Sequence, residues 1–498
     1  MTDKLTLNTL ADHAKTVAIP SYSRDSLSAG IVHIGVGNFH RAHQAIYLDR
    51  LFNLGLDHDW ALIGAGIMPG DKQIREDLAS QDWLTTVVEL DPSGLNARIC
   101  GSMIDFCEIN PAILIDRLSQ PEIRIVSLTV TEGGYFIDAK TGGVDISHPE
   151  IRADIANPRS PQTVFGIIIA ALVNRRAAGI TPFTIMSCDN IPENGKVTRA
   201  TVSAIAARIS SELADWISEE VAFPNSMVDC ITPATSDTER SMTYDTFGIE
   251  DKRPVVCEPF RQWVLEDNFP SGRPALERVG VEFVDNVAPY ELMKLRILNG
   301  GHATIAYPAA LMGIEFAAAA MAEPLIAAYL DKLIGEEVIP TLSPIKGVDF
   351  HEYFAKVRTR FANSRIGDTI PRLCLDGSNR QPKFILPVVN ERLADNQSIN
   401  GLALEVALWC RYCAGTNDNG EPIEIADKNA SRLNYHALKA KTEPAIFLSM
   451  HDIFGDLENH DKFASTFATA LKALWKTGSA VTLKNYISGE LFDDHMLR

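Results

Sequence analysis

The densest run of reactive side chains in the sequence is Pro289-Tyr290-Glu291-Leu292-Met293-Lys294-Leu295-Arg296-Ile297-Leu298-Asn299-Gly300-Gly301-His302, which holds an acid, two bases, an amide and an imidazole. Asn299 and His302, three apart, share a helix face. Lys294 and His302 are eight residues apart, about 12 Å along a straight helix. For the two to act together, the long lysine side chain must reach along the helix or the helix must bend, and Gly300-Gly301 is the expected place for a bend. Taken alone, a lysine and a histidine on a helix also fit a solvated face and a satisfied core position.

A second constellation lies near the start. The β-rich run SAGIVHIGVG ends in Gly35-Val36-Gly37-Asn38-Phe39-His40 and leads into the helical pattern FHRAHQAIYLDRLFNLG, which closes on Gly55. Two of the three glycines of a dinucleotide-binding turn are present. The first permits the tight turn and the second lets a pyrophosphate approach the backbone. The third, replaced here by His40, serves helix–sheet packing, so its loss is compatible with binding. Two glycines after a strand also arise by chance; the position of this pair, after the first strand of a β-α series, favours the cofactor reading. An acid after the second strand ordinarily receives the ribose hydroxyls of NAD and repels the extra phosphate of NADP. Asp71, following Gly64-Ala65-Gly66, is the candidate, and it reads equally as a turn aspartate.

Metal chemistry finds little support. Cys410 and Cys413 have ligand spacing but lie in an apolar helical pattern without a second pair, and His40 and His43 share a helix face without the neighbouring acid of a zinc helix. No metal is expected. The G-x-S-x-G elbow of serine hydrolases and the GxxxxGK[ST] phosphate loop do not occur. With 46 Lys+Arg against 64 Asp+Glu, the net charge of -18 opposes nucleic acid and anionic membranes as partners. Val164 to Val173, the longest apolar stretch, is about half of what a bilayer requires. The N-terminus lacks the apolar core of a signal peptide, so a cytoplasmic location is expected. The eight cysteines are too sparse for a disulfide framework and are expected to be reduced.

The elements that must position these residues follow a pattern. After the first β-α unit comes a strand at Trp60–Gly64, a hairpin of WLTTVVEL and ARICGSMIDF around DPSGLN, a helix from Pro111 and a strand at Arg124–Thr131. A helix opened by Ser160-Pro161 and closed at Gly179 follows, then a strand at Phe183–Ser187. Such alternation predicts an α/β domain with a mostly parallel, Rossmann-type sheet. Beyond about Asn286 long helical patterns dominate. Two domains are therefore expected: residues 1–286 for dinucleotide binding, and a mainly α-helical domain over 287–498.

The motifs GIVHIGVGNFHRAHQA, RIVSLTVTEGGY, FTIMSCDN, NSMVDCITP, CEPFRQWVLEDNF, YELMKLRILNGGH and LDGSNRQPKF stand in one order from about residue 28 to 460. This set resembles the polyol-specific long-chain dehydrogenase/reductase family, its mannitol-oxidising members most closely. The resemblance implies NAD as cofactor, a polyol or ketose as substrate and interconversion of D-mannitol and D-fructose by hydride transfer. By position, Lys294 matches the general base of alcohol oxidation, which requires a lysine pKa brought down from about 10.4 toward neutrality. Asn190 and Asn299 match the amides that stabilise the developing alkoxide, His302 the residue that orients substrate and lysine, and Glu291 the carboxylate that relays the proton to solvent. Asp229, Arg372 and Lys383 match substrate-site positions. Gly35, Gly37, Asn38, Phe39, Asp71 and Glu132 match the cofactor site.

One departure bears on cofactor choice: where relatives often carry a Glu-Asp pair, Gly70 precedes Asp71, which leaves a single charge against NADP. Fructuronate reductase and the arabinitol and sorbitol dehydrogenases share much of the motif set and remain alternatives for the substrate. A nucleotide-binding sensor without catalysis is a reading from another class, and the joint presence of Lys294, Asn190, Asn299 and His302 argues against it. A monomer or small homo-oligomer is expected.

Overall fold

In the computed structural model, which describes residues 4–138 and 142–493, the chain divides into two compact units, Met1–Ala288 and Pro289–Arg498. The division falls two residues beyond the expected Asn286.

The first unit is built on strands β1 (Ala29–Ile34), β2 (Ala61–Ala65), β3 (Thr85–Asp91), β4 (Gly94–Cys100), β5 (Met103–Phe106), β6 (Ile125–Leu128), β7 (Thr184–Ser187), β8 (Ser226–Asp229), β9 (Val255–Cys257), β10 (Gln262–Glu266) and β11 (Glu282–Val284). Five of them form an all-parallel sheet in the order β5-β2-β1-β6-β7. Alternation along each strand feeds two separate cores. Val32, Ile34, Ile63, Val126, Leu128 and Ile185 face the helices Pro111–Ser119 and Val164–Ala178, while Ile31, Leu62, Ile125 and Met186 face the helix Gln44–Asn53. The strand order reverses beside β1, since the chain runs out through β2 to β5 and returns to β6 on β1's other side. Crevices for ligands form at the carboxyl ends of strands at such a reversal. Smaller sheets, β4-β3-β9 and β11-β10-β8, complete the unit.

Three expected boundaries move. The run ARICGSMIDF is two strands, because β4 pairs with β3 across the two-residue turn Pro92-Ser93 whereas β5 joins the parallel sheet. The helix expected at Ser160-Pro161 begins at Val164: the Asp154 carboxylate accepts from the Gln162 and Thr163 amides and fixes an extended entry, and the Thr163 hydroxyl caps the Gly166 amide. The helix after the dinucleotide turn is broken at His43 (φ -117°, ψ -89°) into Asn38–Ala42 and Gln44–Asn53.

Helices make up the second unit. Helix Asn400–Cys413 is buried from Gly401 to Cys413 and packs on Asp461–Ser488 and Gly300–Leu311. Cys410 and Cys413 lie in that buried stretch, where burial pushes both thiols well above their usual range. Among the described residues, no helix is long and apolar enough to cross a membrane, and no group of three or more His, Cys, Asp or Glu side chains is placed to hold a metal ion.

Candidate active site

Gly35 is required by geometry. Its φ is +97°, and a Cβ there would stand 2.1 Å from the Thr129 carbonyl oxygen. The Thr129 hydroxyl donates to the Gly35 carbonyl (2.7 Å), and the Gly35 amide donates to Ala65 (3.0 Å), so the loops after β1, β2 and β6 are tied at one point. Gly37 is different. It is exposed, and a Cβ would meet only the Gly35 carbonyl at 3.9 Å, so nothing in the protein excludes a side chain there. A bare backbone without internal cause is what close approach of a pyrophosphate calls for. The turn fits a dinucleotide.

Beneath the turn lie two residues, His40 and Arg41, whose partners the sequence does not reveal. His40, in the place of the missing third glycine, stacks on His33 of β1 with centroids 3.5 Å apart and an interplanar angle of 12°. The helix packs on the sheet through a ring instead of through bare backbone. Gln44 accepts from Ser127 (3.0 Å) and meets His40 Nδ1 (3.1 Å), while His33 bridges Ser127 and Thr129. Burial draws His33 down to about 3 and His40 well below its usual value, so both imidazoles are neutral. Arg41 is 4% exposed. It donates to the Gly37 carbonyl (3.3 Å), to Asn38 Oδ1 (2.7 Å) and to the Arg253 carbonyl. Burial lowers its guanidinium to about 10, which leaves a cation directly under the turn at neutral pH.

The side chains of the other expected cofactor residues have internal tasks. Asn38 Nδ2 donates to Pro233 and Thr235 in the loop after β8, and Phe39 stacks on His43 at 4.8 Å. Asp71 opens the helix Asp71–Ala79, and its Oδ2 accepts from the Ile67 and Met68 amides at 2.9 and 2.8 Å. The turn-aspartate reading thus describes one carboxylate oxygen, and the group still brings a fixed negative charge to the end of β2. Glu132 is exposed in the turn Glu132–Tyr135 after β6. That turn follows Thr131, whose φ of +66° costs on the order of 1–3 kcal/mol for a branched residue. Asp189, beside Asn190 in the SCDN motif and overlooked in the sequence, offsets the strain. It accepts from the Val130 amide (3.1 Å), the Thr131 amide (2.8 Å) and the Tyr135 hydroxyl (2.7 Å). Burial lifts its carboxyl above the ordinary range despite these donors. Asn190 is exposed just past β7, and Asp229 is buried at the end of β8.

In the second unit, Glu291, Lys294, Asn299 and His302 lie on one continuous helical path, Ala288–Leu311. The expected bend at the glycines does not occur, since Gly300 is helical at φ -62°, ψ -41°. The path instead widens: Lys294–Asn299 is a π-helical turn, with the Gly300 amide reaching the Leu295 carbonyl five residues back. In a straight α-helix Lys294 and Asn299 would point about 140° apart. The wide turn, which pairs residues five apart, brings them toward one face, and His302 follows Asn299 by a single α-turn. Lys294 is 9% exposed. His302 stacks on Phe361 (4.1 Å, 22°), which fixes its ring plane, and a Cβ on Gly301 would press on the same Phe361 at 3.2 Å. Arg296, on the buried side, holds the turn through a forked pair with Glu391 and bonds to Thr341.

Arg372 and Lys383 are exposed on the helices Ile370–Leu373 and Gly377–Phe384. The latter helix ends beside the π turn, with the Phe384 carbonyl 3.8 Å from where a Gly300 Cβ would be. Arg372 is held through Nε and Nη2 by the two oxygens of Asp368, each at 2.5 Å.

Comparison with known proteins places the chain in a family. The family model described as the Mannitol dehydrogenase Rossmann domain matches residues 29–278, and that of the Mannitol dehydrogenase C-terminal domain matches residues 286–475. The chain is 55% identical to a mannitol 2-dehydrogenase of Cereibacter sphaeroides over 95% of its own length and 99% of the relative's. It is 41% identical to a mannitol dehydrogenase of Saccharomyces cerevisiae over 97% of each. Among solved structures, Pseudomonas fluorescens mannitol 2-dehydrogenase in ternary complex with NAD and D-mannitol matches with a TM-score of 0.84 and 44% identity, covering 97% of this chain and 99% of that one. A D-sorbitol dehydrogenase in substrate-free form matches with a TM-score of 0.91 and 33% identity, covering 96% and 100%. By sequence and fold along nearly its whole length, this chain belongs to the mannitol dehydrogenase family.

Proposed function

We propose that the protein oxidises D-mannitol to D-fructose with NAD and runs the reverse reduction, using Lys294 as general acid/base without a metal ion. The observation that carries this reading is the π turn, which gathers Lys294, Asn299 and His302 on one face of a helix. The turn Gly35–Phe39 would hold the pyrophosphate, with Asp71 toward the adenosine ribose and Glu132 in the adjoining loop. NAD, when bound, supplies the hydride acceptor. Lys294 takes the hydroxyl proton, and the side-chain amides of Asn190 and Asn299 donate to the oxygen as its negative charge develops. His302, its plane fixed by Phe361, orients lysine and substrate, and Glu291 passes the proton on to solvent.

Substrate choice between a polyol and a uronate turns on Arg372 and Asp229. A guanidinium already forked onto Asp368 has little charge left for a substrate carboxylate, while the hydroxyls of a ketose need only hydrogen-bonding partners. The Asp229 carboxylate accepts hydrogen bonds from sugar hydroxyls and repels a substrate carboxylate. The test is catalytic efficiency on D-fructose and fructuronate with NADH under identical conditions, before and after exhaustive EDTA dialysis. Fructose is expected to be preferred and the rate to survive dialysis. A tenfold preference for fructuronate, about 1.4 kcal/mol in transition-state binding, overturns the substrate assignment, and loss of rate to EDTA overturns metal independence.

A further inference from the structure

Helix Gln44–Asn53 begins under the dinucleotide turn, and its other end, about 15 Å away, borders a cavity of about 390 Å³. That is a volume within the range of small-molecule sites. Its wall includes Arg50, Arg98 and Arg278, with Ile19 and Ile99 as apolar floor and one carboxylate, Asp49.

Two of the three arginines are loosely paired. Arg98, a quarter exposed, pairs only loosely with its carboxylate neighbour, Asp49 Oδ2 lying 3.7 Å from Nη1. Asp49 is committed elsewhere: Oδ1 accepts from the Tyr22 hydroxyl (2.7 Å) and the Gly101 amide (3.1 Å), and Oδ2 from Asn53 (3.2 Å). Arg50 lies 3.8 Å from Glu89 Oε1, an oxygen that already receives Arg261 at 2.6 Å. Burial, together with the charges of Arg261 and Arg98, lowers the Arg50 guanidinium. Like charges crowded at the mouth of a hollow, in a chain of net charge -18, are relieved by an anion held between them.

We propose that this cavity is a second ligand site, distinct from the dinucleotide turn, for a phosphate monoester of sugar size. The wall's three guanidinium groups and one carboxylate leave a surplus of two positive charges, which matches the dianion of a phosphate ester near neutral pH. Guanidinium forks suit phosphate oxygens, and the apolar floor accommodates the carbon body.

Equilibrium dialysis of the full chain, saturated with NADH to occupy the dinucleotide turn, against radiolabelled hexose 6-phosphate tests the site. Inorganic phosphate, a neutral hexose and succinate serve as competitors. One bound hexose phosphate per chain is expected, displaced weakly by inorganic phosphate and not by hexose or succinate. Affinity should fall at least tenfold in Arg278→Ala, an exposed position that leaves turnover unchanged, and in Arg98→Gln. No retention at millimolar ligand, loss of binding under NADH, or undiminished affinity in Arg278→Ala overturns the site. Succinate competing as well as the ester overturns the phosphate assignment, and inorganic phosphate doing so overturns the sugar-sized ligand.

Discussion

Lys294 and Asp71 are the residues on which the proposed chemistry and cofactor choice rest. Lys294→Ala should lower turnover by at least roughly 10² to 10⁴ with NADH affinity nearly intact, since it removes proton transfer and leaves the glycine turn untouched. Steady-state rates beside an NADH fluorescence titration check this, and more than about a tenth of the turnover surviving would exclude the lysine as base. Asp71→Asn keeps an oxygen for the Ile67 and Met68 amides but deletes the charge. The ratio of NADP to NAD efficiency should therefore rise without loss of thermal stability, and an unmoved ratio would reduce Asp71 to a turn residue. The family was readable because its motifs are distinctive in type and order. His40, Arg41 and Asp189 were not, because each acts through what it meets in space: a ring on another strand, a carbonyl distant in sequence, and the amides of a neighbouring loop.

At the scale of elements, the π turn is the feature that periodicity could not reveal. Apolar spacing in the segment from Tyr290 to His302 fits an α-helix, a wide turn changes the phase by about one residue, and the paired glycines drew attention to the wrong position. Inserting one alanine inside the turn, after Leu295, should shift the phase by a further residue and rotate Lys294 by about 100° relative to His302. The expected result is a folded protein with native-like helical circular dichroism and turnover reduced to the level of Lys294→Ala. Retained activity would show that the wide turn does not set the geometry. Strands β1, β2, β6 and β7 were legible from short β-rich runs and glycine stops. The separation of β4 from β5, and the late start of the helix at Val164, depended on sheet membership and on a carboxylate ten residues upstream of that start.

On the scale of the whole molecule, the change from α/β alternation to long helices was visible in composition, so the division near Ala288 could be approached from sequence alone. The interior of the helical unit could not. Glu405 is fully buried there, with one oxygen accepting from Gln381 (2.7 Å) and the other without a hydrogen-bond partner. Burial pushes its carboxyl from 4.5 up to about 8. Between those values the folded chain keeps a proton that the unfolded chain has released, so stability falls as pH rises through the window and is flat beyond it. Glu405→Gln removes the slope. Its melting temperature relative to the parent should therefore be higher at pH 8.5 than at pH 5, and parallel pH profiles would exclude a proton on Glu405.

The stacked imidazoles of His33 and His40 have one more consequence. Histidine is the usual source of a charge change near neutrality, yet both rings have lost that capacity to burial. The floor of the turn therefore carries the same electrical charge, set by Arg41, across neutral pH. In the proposed reaction, cofactor hold and proton transfer are thereby decoupled: a shift in acidity that alters the rate of chemistry should leave the affinity for NADH unchanged.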